Sequence, residues 1–265
     1  MKILFVGVVV GAPGRRAIKS YLSRLAACGD TPDLVICNAN HAASGLGLTQ
    51  ETSRELFDAG VDVITMGEDI WSQKELQTTI DSSPNILRPQ NLPVSSPGRG
   101  ILIKEIGGKK IPVGIINLSG YSYIKKILPE NPFPIIYNII DEMAAKTNCI
   151  VVDFFARTTA EKIAMRYHLD GKISLLSGTG TLVQTADESL SKLGTAYITD
   201  VGIAGPVSGV TGFDATHEIE RFTSYVRSFP KIAEGDLRFN AILVSIDDVS
   251  GMAKSIVRIN ETIPN

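Results

Sequence analysis

The chain is poor in the residues that build metal knuckles and redox pairs. It has three cysteines in 265 residues, Cys28, Cys37 and Cys149, none at the short spacing either device needs. Cys37 and Cys149 fall in apolar, strand-like runs, where a free thiol packs as a small hydrophobe. Excess charge is also missing. The net charge of −2 supplies no global field for nucleic acid or an anionic membrane. Lys109-Lys110 and Lys125-Lys126 are short solvated pairs and make no nucleic-acid patch. No apolar run approaches the ~20 residues that span a bilayer. No signal-peptide pattern precedes the first strand, so a cytoplasmic location is expected. There is no repeat, low-complexity tract or linker, and residues 1–265 are expected to form one domain.

What is present is a series of buried strands ending in small-residue loops. Met1 to Val10 is a continuous apolar run closed by Gly11, Pro13 and Gly14, the pattern of a central strand entering a helix. Ligands of open α/β sheets gather at such strand ends. The residue placed there after Gly7 is Val8, which neither ligates a metal nor exchanges a proton. A helix is expected over Arg15–Ala27, a strand over Leu34–Asn38, and a helix capped by Thr49 running to Ala59. A third strand covers Val61–Thr65. This succession of strand, loop and helix predicts a parallel sheet with helical crossovers. Pro84–Gly100 reads as an irregular loop, and Ile101–Ile106 with Ile111–Leu118 as a hairpin. After irregular Tyr121–Pro134, the spacing predicts a helix over Ile135–Lys146, a strand over Cys149–Phe155 and a helix over Glu161–Tyr167. Strands Ile173–Leu176 and Ala196–Thr199, a glycine-rich loop Asp200–Pro206, a helix His217–Arg227 and strands Leu237–Ile246 and Ala253–Ile259 complete the series.

Several blocks, in order along nearly the whole chain, resemble one bacterial family, the YmdB-type calcineurin-like metallophosphoesterases. They are Lys2-Ile-Leu-Phe-Val-Gly7 with Gly11-x-Pro-Gly14, Ala42-Ala-Ser-Gly-Leu-Gly-Leu-Thr49, Ile64-Thr-Met-Gly67 with Trp71, and Arg88-Pro-x-Asn-x-Pro93 with Pro97-Gly-x-Gly100. Val152-Asp-Phe154, Val183-Gln-Thr-Ala-Asp187 and Gly194-Thr-Ala-Tyr-Ile-Thr-Asp-Val-Gly202 with Gly205-Pro206 follow. The resemblance implies a calcineurin-like metallophosphoesterase fold, an αββα sandwich of two packed mixed β-sheets flanked by helices. It implies a two-metal site at the strand ends and phosphodiesterase activity on nucleotides or cyclic nucleotides. It also implies a homo-oligomer, dimer or tetramer.

Two divalent ions held about 3.5–4 Å apart need carboxylates and imidazoles from several strand ends. The resemblance puts an aspartate at Val8, Glu-Asn at Asn40-His41, Asn and the catalytic histidine at Glu68-Asp69, a metal-binding histidine at Phe155, and two histidines at Gly180 and Leu182. All eight positions depart from the family while the scaffold around them is kept. Valine, phenylalanine, glycine and leucine hold no cation, so the two-metal centre is expected to be absent and no cofactor is expected. The main expectation is a catalytically degenerate, pseudoenzyme form of the family, serving as a binding or assembly module for a protein partner or a nucleotide-like ligand, with no DNA or membrane partner. Lined by Val8, Phe155 and Leu182, its cleft would be apolar and would bind phosphate and divalent ions weakly.

The alternative is an enzyme with rebuilt chemistry: a metal-dependent phosphodiesterase on cyclic nucleotides of the 2',3'-cAMP type or related phosphodiesters. It would hold one divalent metal (Mn, Fe, Mg or Zn) on His41, Glu68 and Asp69. The bland counterpart is a hydrogen-bonded plug in which Arg157, standing where the family has an acidic residue, neutralises the two adjacent carboxylates. A metal-free hydrolase lacks a Ser–His or Cys–His pair at the matching strand ends. The Gly11–Gly14 turn lacks the full glycine pattern and lysine of a P-loop, and tight strand-to-helix packing explains its glycines. His168 and His217 read as surface or capping residues and Trp71 as core.

Overall fold

In a computed structural model, which describes residues 1–108, 110–224 and 228–265, the opening apolar run forms strand β1 (Lys2–Val10). Its side chains alternate between two cores, as the period of two in a strand requires. Ile3 and Phe5 point into the space between two sheets, and Leu4 and Val6 face the helices outside. The chain then continues as α1 (Gly11–Cys28), β2 (Leu34–His41), α2 (Gln50–Asp58), β3 (Val63–Thr65), α3 (Lys74–Thr79) and β4 (Ile86–Leu87). Next come β5 (Ile101–Ile106), β6 (Ile111–Ser119), α4 (Pro132–Ala144), β7 (Cys149–Phe155), α5 (Thr159–Leu169) and β8 (Leu175–Thr179). The last elements are β9 (Ser189–Leu190), β10 (Ala196–Ile198), β11 (Ile203–Pro206), α6 (Ala215–Ser224), β12 (Leu237–Ile246) and β13 (Ala253–Ile263).

Among the described residues the strands form two mixed sheets, ordered β13-β12-β11-β1-β2-β3-β4 and β5-β6-β7-β8-β10-β9. β1 runs parallel to β2 and β11 and antiparallel to β12. The inner core joins Phe5, Ile36 and Val244 of the first sheet to Ile115, Val151 and Leu175 of the second. Outside the first sheet, Ile18 and Tyr21 of α1 and Leu56 of α2 cover Leu4, Val6 and Val9. Tyr21 stacks on Phe239 with ring centroids 3.9 Å apart, a pairing worth about 0.5–1.5 kcal/mol beyond its buried area. Outside the second sheet, Ile136, Ile140 and Met143 of α4 and Met165 of α5 cover Ile116 and Val152. The result is the expected αββα sandwich.

Local signals placed several elements well. Thr49 caps α2 through a reciprocal box with Thr52, and Gly29 ends α1 with φ 71°, a left-handed conformation that glycine adopts at little cost. Other expectations need correction. Gly11–Gly14 is the first turn of α1 rather than a loop before it. Gly14 is there because a Cβ would stand 2.2 Å from the Ala204 carbonyl oxygen of β11. The Pro84–Gly100 stretch contains β4, and the Asp200–Pro206 stretch contains β11, which lies beside the central strand. The end of the expected His217–Arg227 helix lies outside the described residues, as does Lys109; α6 itself starts earlier, at Ala215.

Candidate functional site at the strand ends

β2, β3 and β8 finish on polar residues after an apolar run, and these ends meet Asp153, two residues before the end of β7. Asp153 of β7 is fully buried and accepts hydrogen bonds from Asn38 Nδ2 (2.8 Å), Thr65 Oγ1 (2.5 Å) and Thr179 Oγ1 (2.7 Å). Burial pushes its carboxyl pKa up to about 6 in spite of these three donors. The network ties the two sheets together beneath the floor of a cleft. Sequence reasoning missed it; the shared habit of closing a buried strand with Asn, Thr or Asp was the available signal.

The floor is built from the β2 end and the turn after β3. Asn40 Oδ1 accepts from the backbone N–H groups of Gly67 (2.9 Å) and Asp69 (2.8 Å), and its Nδ2 donates to Asp69 Oδ2 (3.1 Å). Asn40 therefore folds the turn that presents Glu68 and Asp69. Both carboxylates are covered by cations. Arg157 donates from Nε to Glu68 Oε1 at 3.0 Å and also through Nη2. Lys126 Nζ lies 2.5 Å from Asp69 Oδ1, which also accepts from Ser72 Oγ at 2.7 Å. Lys125 adds a backbone N–H to Glu68 Oε2 at 3.1 Å. The expectation that Lys125-Lys126 is merely solvated is thus corrected, because the loop carrying it is fastened across the site by both carboxylates.

His41 lies on the same floor, 6% exposed, with its Nδ1 3.6 Å from Asp69 Oδ2 and without a hydrogen-bond partner. Burial drives the imidazole pKa down to about 4; Asp69 opposes the fall, while Arg157 and Lys126 add to it. The contact is therefore a neutral ring beside a carboxylate. Above the floor opens a cleft of about 980 Å³, lined by His41, Glu68, Lys125, Lys126, Arg157 and Thr181, with apolar walls from Leu182, Phe213 and Phe222. Val8 and Phe155 are fully buried beneath it and take no part in its lining. The expected lining is corrected accordingly: of the three residues named for it only Leu182 reaches the cleft, as wall.

Gly180, whose φ is 107°, sits where its carbonyl accepts from Arg157 Nη1 at 2.9 Å. Behind it a third ion pair went unread in the sequence. Lys162 Nζ of α5 lies 2.7 Å from Asp200 Oδ2, both side chains fully buried. Burial lowers the Lys162 pKa and Asp200 resists the fall. The same Asp200 oxygen accepts from Thr181 N (2.9 Å) and Oγ1 (2.7 Å), which positions one wall of the cleft. His168 instead packs on Tyr137 and Phe133, and His217 bonds the Phe229 carbonyl; neither reaches the floor.

The donor set does not suit the divalent pair of the family. Val8, Phe155, Gly180 and Leu182 offer no side-chain donor. The Phe155 ring fills the space against Gly67, where a Cβ would stand 2.4 Å from it. Nor do His41, Glu68 and Asp69 form a single-metal site. Among the described residues no group of three or more His, Cys, Asp or Glu could hold an ion, and Glu68 and Asp69 each already face a cation.

The family described as "YmdB-like protein" matches residues 4–259. A Bacillus subtilis (strain 168) protein named 2',3'-cyclic-nucleotide 2'-phosphodiesterase is 40% identical over 259 residues, covering 98% of this chain and 96% of its own. A Mycoplasma pneumoniae protein described as a novel phosphatase superposes with a TM-score of 0.90 at 31% identity, covering 100% of this chain and 94% of its own. A 5'-nucleotidase from Candida albicans SC5314 shares the fold alone, with a TM-score of 0.56 at 10% identity over 98% of this chain and 51% of its own. No helix among the described residues is long and apolar enough to cross a membrane. The relatives overturn the expectation of a binding or assembly module without hydrolysis, since these two, which match nearly the whole chain, are named as a phosphodiesterase and a phosphatase. The chain belongs to the YmdB-like family, on the calcineurin-like phosphoesterase fold.

Proposed function

We propose that this chain is a phosphodiesterase acting on nucleotide-type phosphodiesters, cyclic nucleotides of the 2',3'-cAMP type among them, in the cleft above His41. The observation that carries the reading is the buried, neutral His41 with an unpartnered Nδ1, on one floor with Arg157 and Lys126. A buried polar atom without a partner is costly, and here it lies beside buried Asp69 in a residue that lines a cleft of about 980 Å³. Strained backbone supports the same place. Of the five non-glycine residues with positive φ among the described residues, Tyr123, Leu182 and Thr211 line this cleft, and such strain gathers at functional sites.

In this reading a phosphodiester lies over Arg157 and Lys126, which meet its non-bridging oxygens. The imidazole of His41, whose Nδ1 is turned to Asp69, accepts a proton from the attacking water as the new P–O bond forms. The P–O bond to the leaving oxygen breaks, and the proton passes from the imidazolium to that oxygen. Asp69 stabilises the imidazolium in between. Exposed Tyr123 and Phe222 offer aromatic faces for a base. The test is product formation from 2',3'-cyclic AMP by the purified protein. The reading expects a nucleoside monophosphate, with turnover reduced at least ~100-fold in His41→Ala, the usual scale for a general base, at an unchanged melting temperature. Turnover by the wild-type chain no higher than by His41→Ala overturns it.

A further inference from the structure

We infer that Arg157 and Lys126 take the place of the family's divalent pair, so that this cleft binds phosphate without a metal ion; the inference rests on reading the cleft as a phosphodiester site. Three observations lead to it. The first is charge. Glu68 and Asp69, the carboxylates left at the floor, are matched one to one by Arg157 and Lys126, and His41 adds none. A divalent ion entering here would find its ligands already neutralised and would be repelled by two cations at close range.

The second observation is orientation. The Glu68 and Asp69 side chains are 6% and 0% exposed, whereas those of Arg157 and Lys126 are 30% and 47% exposed. The carboxylates sit under the floor and the cations form its upper surface, so an incoming anion meets positive charge first. A metal-binding floor has the reverse order, with carboxylate oxygens uppermost.

The third is spare capacity in a fixed frame. Arg157 is held by Glu68, by the Gly180 carbonyl at 2.9 Å, and by the Phe155 ring, whose centroid lies 5.3 Å from the guanidinium carbon. Three of the five guanidinium N–H groups are engaged in this way, which leaves two for a phosphate. Lys126 gives one donor to Asp69 and keeps two. Phe155, the substitution that removes a metal ligand, is thus also the face that supports the replacing cation.

The test is calorimetric titration of the whole protein with inorganic phosphate in EDTA, and separately with manganese alone. Saturable phosphate binding in EDTA is expected, weakened about tenfold in Arg157→Gln and in Lys126→Gln, the scale of one lost charge-assisted contact. Lys126 is half-exposed, so its variant reads the effect if Arg157→Gln misfolds. Glu68→Gln discriminates by sign. Releasing Arg157 strengthens phosphate binding several-fold here, whereas loss of a metal ligand would weaken it. Phosphate binding that appears only with manganese, or micromolar binding of manganese alone, overturns the inference while leaving the phosphodiesterase reading intact. Absence of phosphate binding with and without manganese overturns both.

Discussion

The phenyl ring of Phe155 packs against Gly67, so close that a methyl group at Gly67 would stand 2.4 Å from two of its ring carbons. One residue closes the end of β7 and the other precedes the carboxylate pair after β3, so their contact joins the two sheets at the floor of the cleft. A ring fills the volume that resemblance assigns to a metal-binding histidine, and the Arg157 guanidinium carbon lies over that ring, 5.3 Å from its centroid.

Gly67→Ala is therefore expected to destabilise the protein by about 2–3 kcal/mol, the cost of forcing extra volume into a packed interior. Chemical denaturation measures it. A loss under about 0.5 kcal/mol would show that the ring moves aside freely.

Val8 is buried where β1 pairs with Ile203 of β11. Val8→Asp places a carboxylate at a fully buried position. A loss of about 3 kcal/mol or more is expected unless the acid stays protonated. Added manganese should leave the variant's melting temperature unchanged, because one restored ligand does not rebuild a charge-matched floor. A manganese-dependent rise of several degrees, as ligand binding to the folded state produces, would contradict this.

The Lys162–Asp200 pair is sealed on all sides. Lys162→Met strands a buried carboxylate that also orders Thr181, and about 3–5 kcal/mol of stability should be lost. Lys162→Met with Asp200→Asn should cost less than Lys162→Met alone, because no charge is left behind. Denaturation of the three proteins decides it, and an equal loss in single and double variants would contradict the pairing.

Asp153 gives a pH dependence of definite sign. Its folded-state pKa is raised from an ordinary value of 3.8 to about 6, so between those values the folded chain binds more protons than the unfolded one. Stability from this group is complete below about pH 4 and falls as pH rises through 6, by up to about 3 kcal/mol from this carboxyl alone. Asp153→Asn should flatten the denaturation profile over pH 4–6 relative to wild type. An unchanged slope would contradict the assignment.

Elements with local signals were legible in the sequence, and those held by distant partners were not. The run Leu34-Val-Ile-Cys37 and the Thr49 cap declare a strand and a helix start from within a few residues. β11 does not, because Ile203-Ala-Gly-Pro206 is extended only by pairing with β1 and β12. β4 spans two residues and rests on β3. Among the candidate site residues, His41, Glu68, Asp69 and Arg157 do meet on one floor. Lys126 was read from its loop composition as solvated, since Asp69 lies 57 residues away in sequence. Lys162 carries no local signal of its role either, since its partner Asp200 lies 38 residues away in sequence. The cleft does have apolar walls, but from Leu182, Phe213 and Phe222; Val8 and Phe155 are fully buried and do not line it.

Hydrolysis of 2',3'-cyclic AMP before and after exhaustive chelation tests the account most directly. A side-chain-built phosphate site predicts the same turnover in both samples, lost in His41→Ala and strongly reduced in Arg157→Gln. Turnover abolished by chelation and restored by manganese would contradict it.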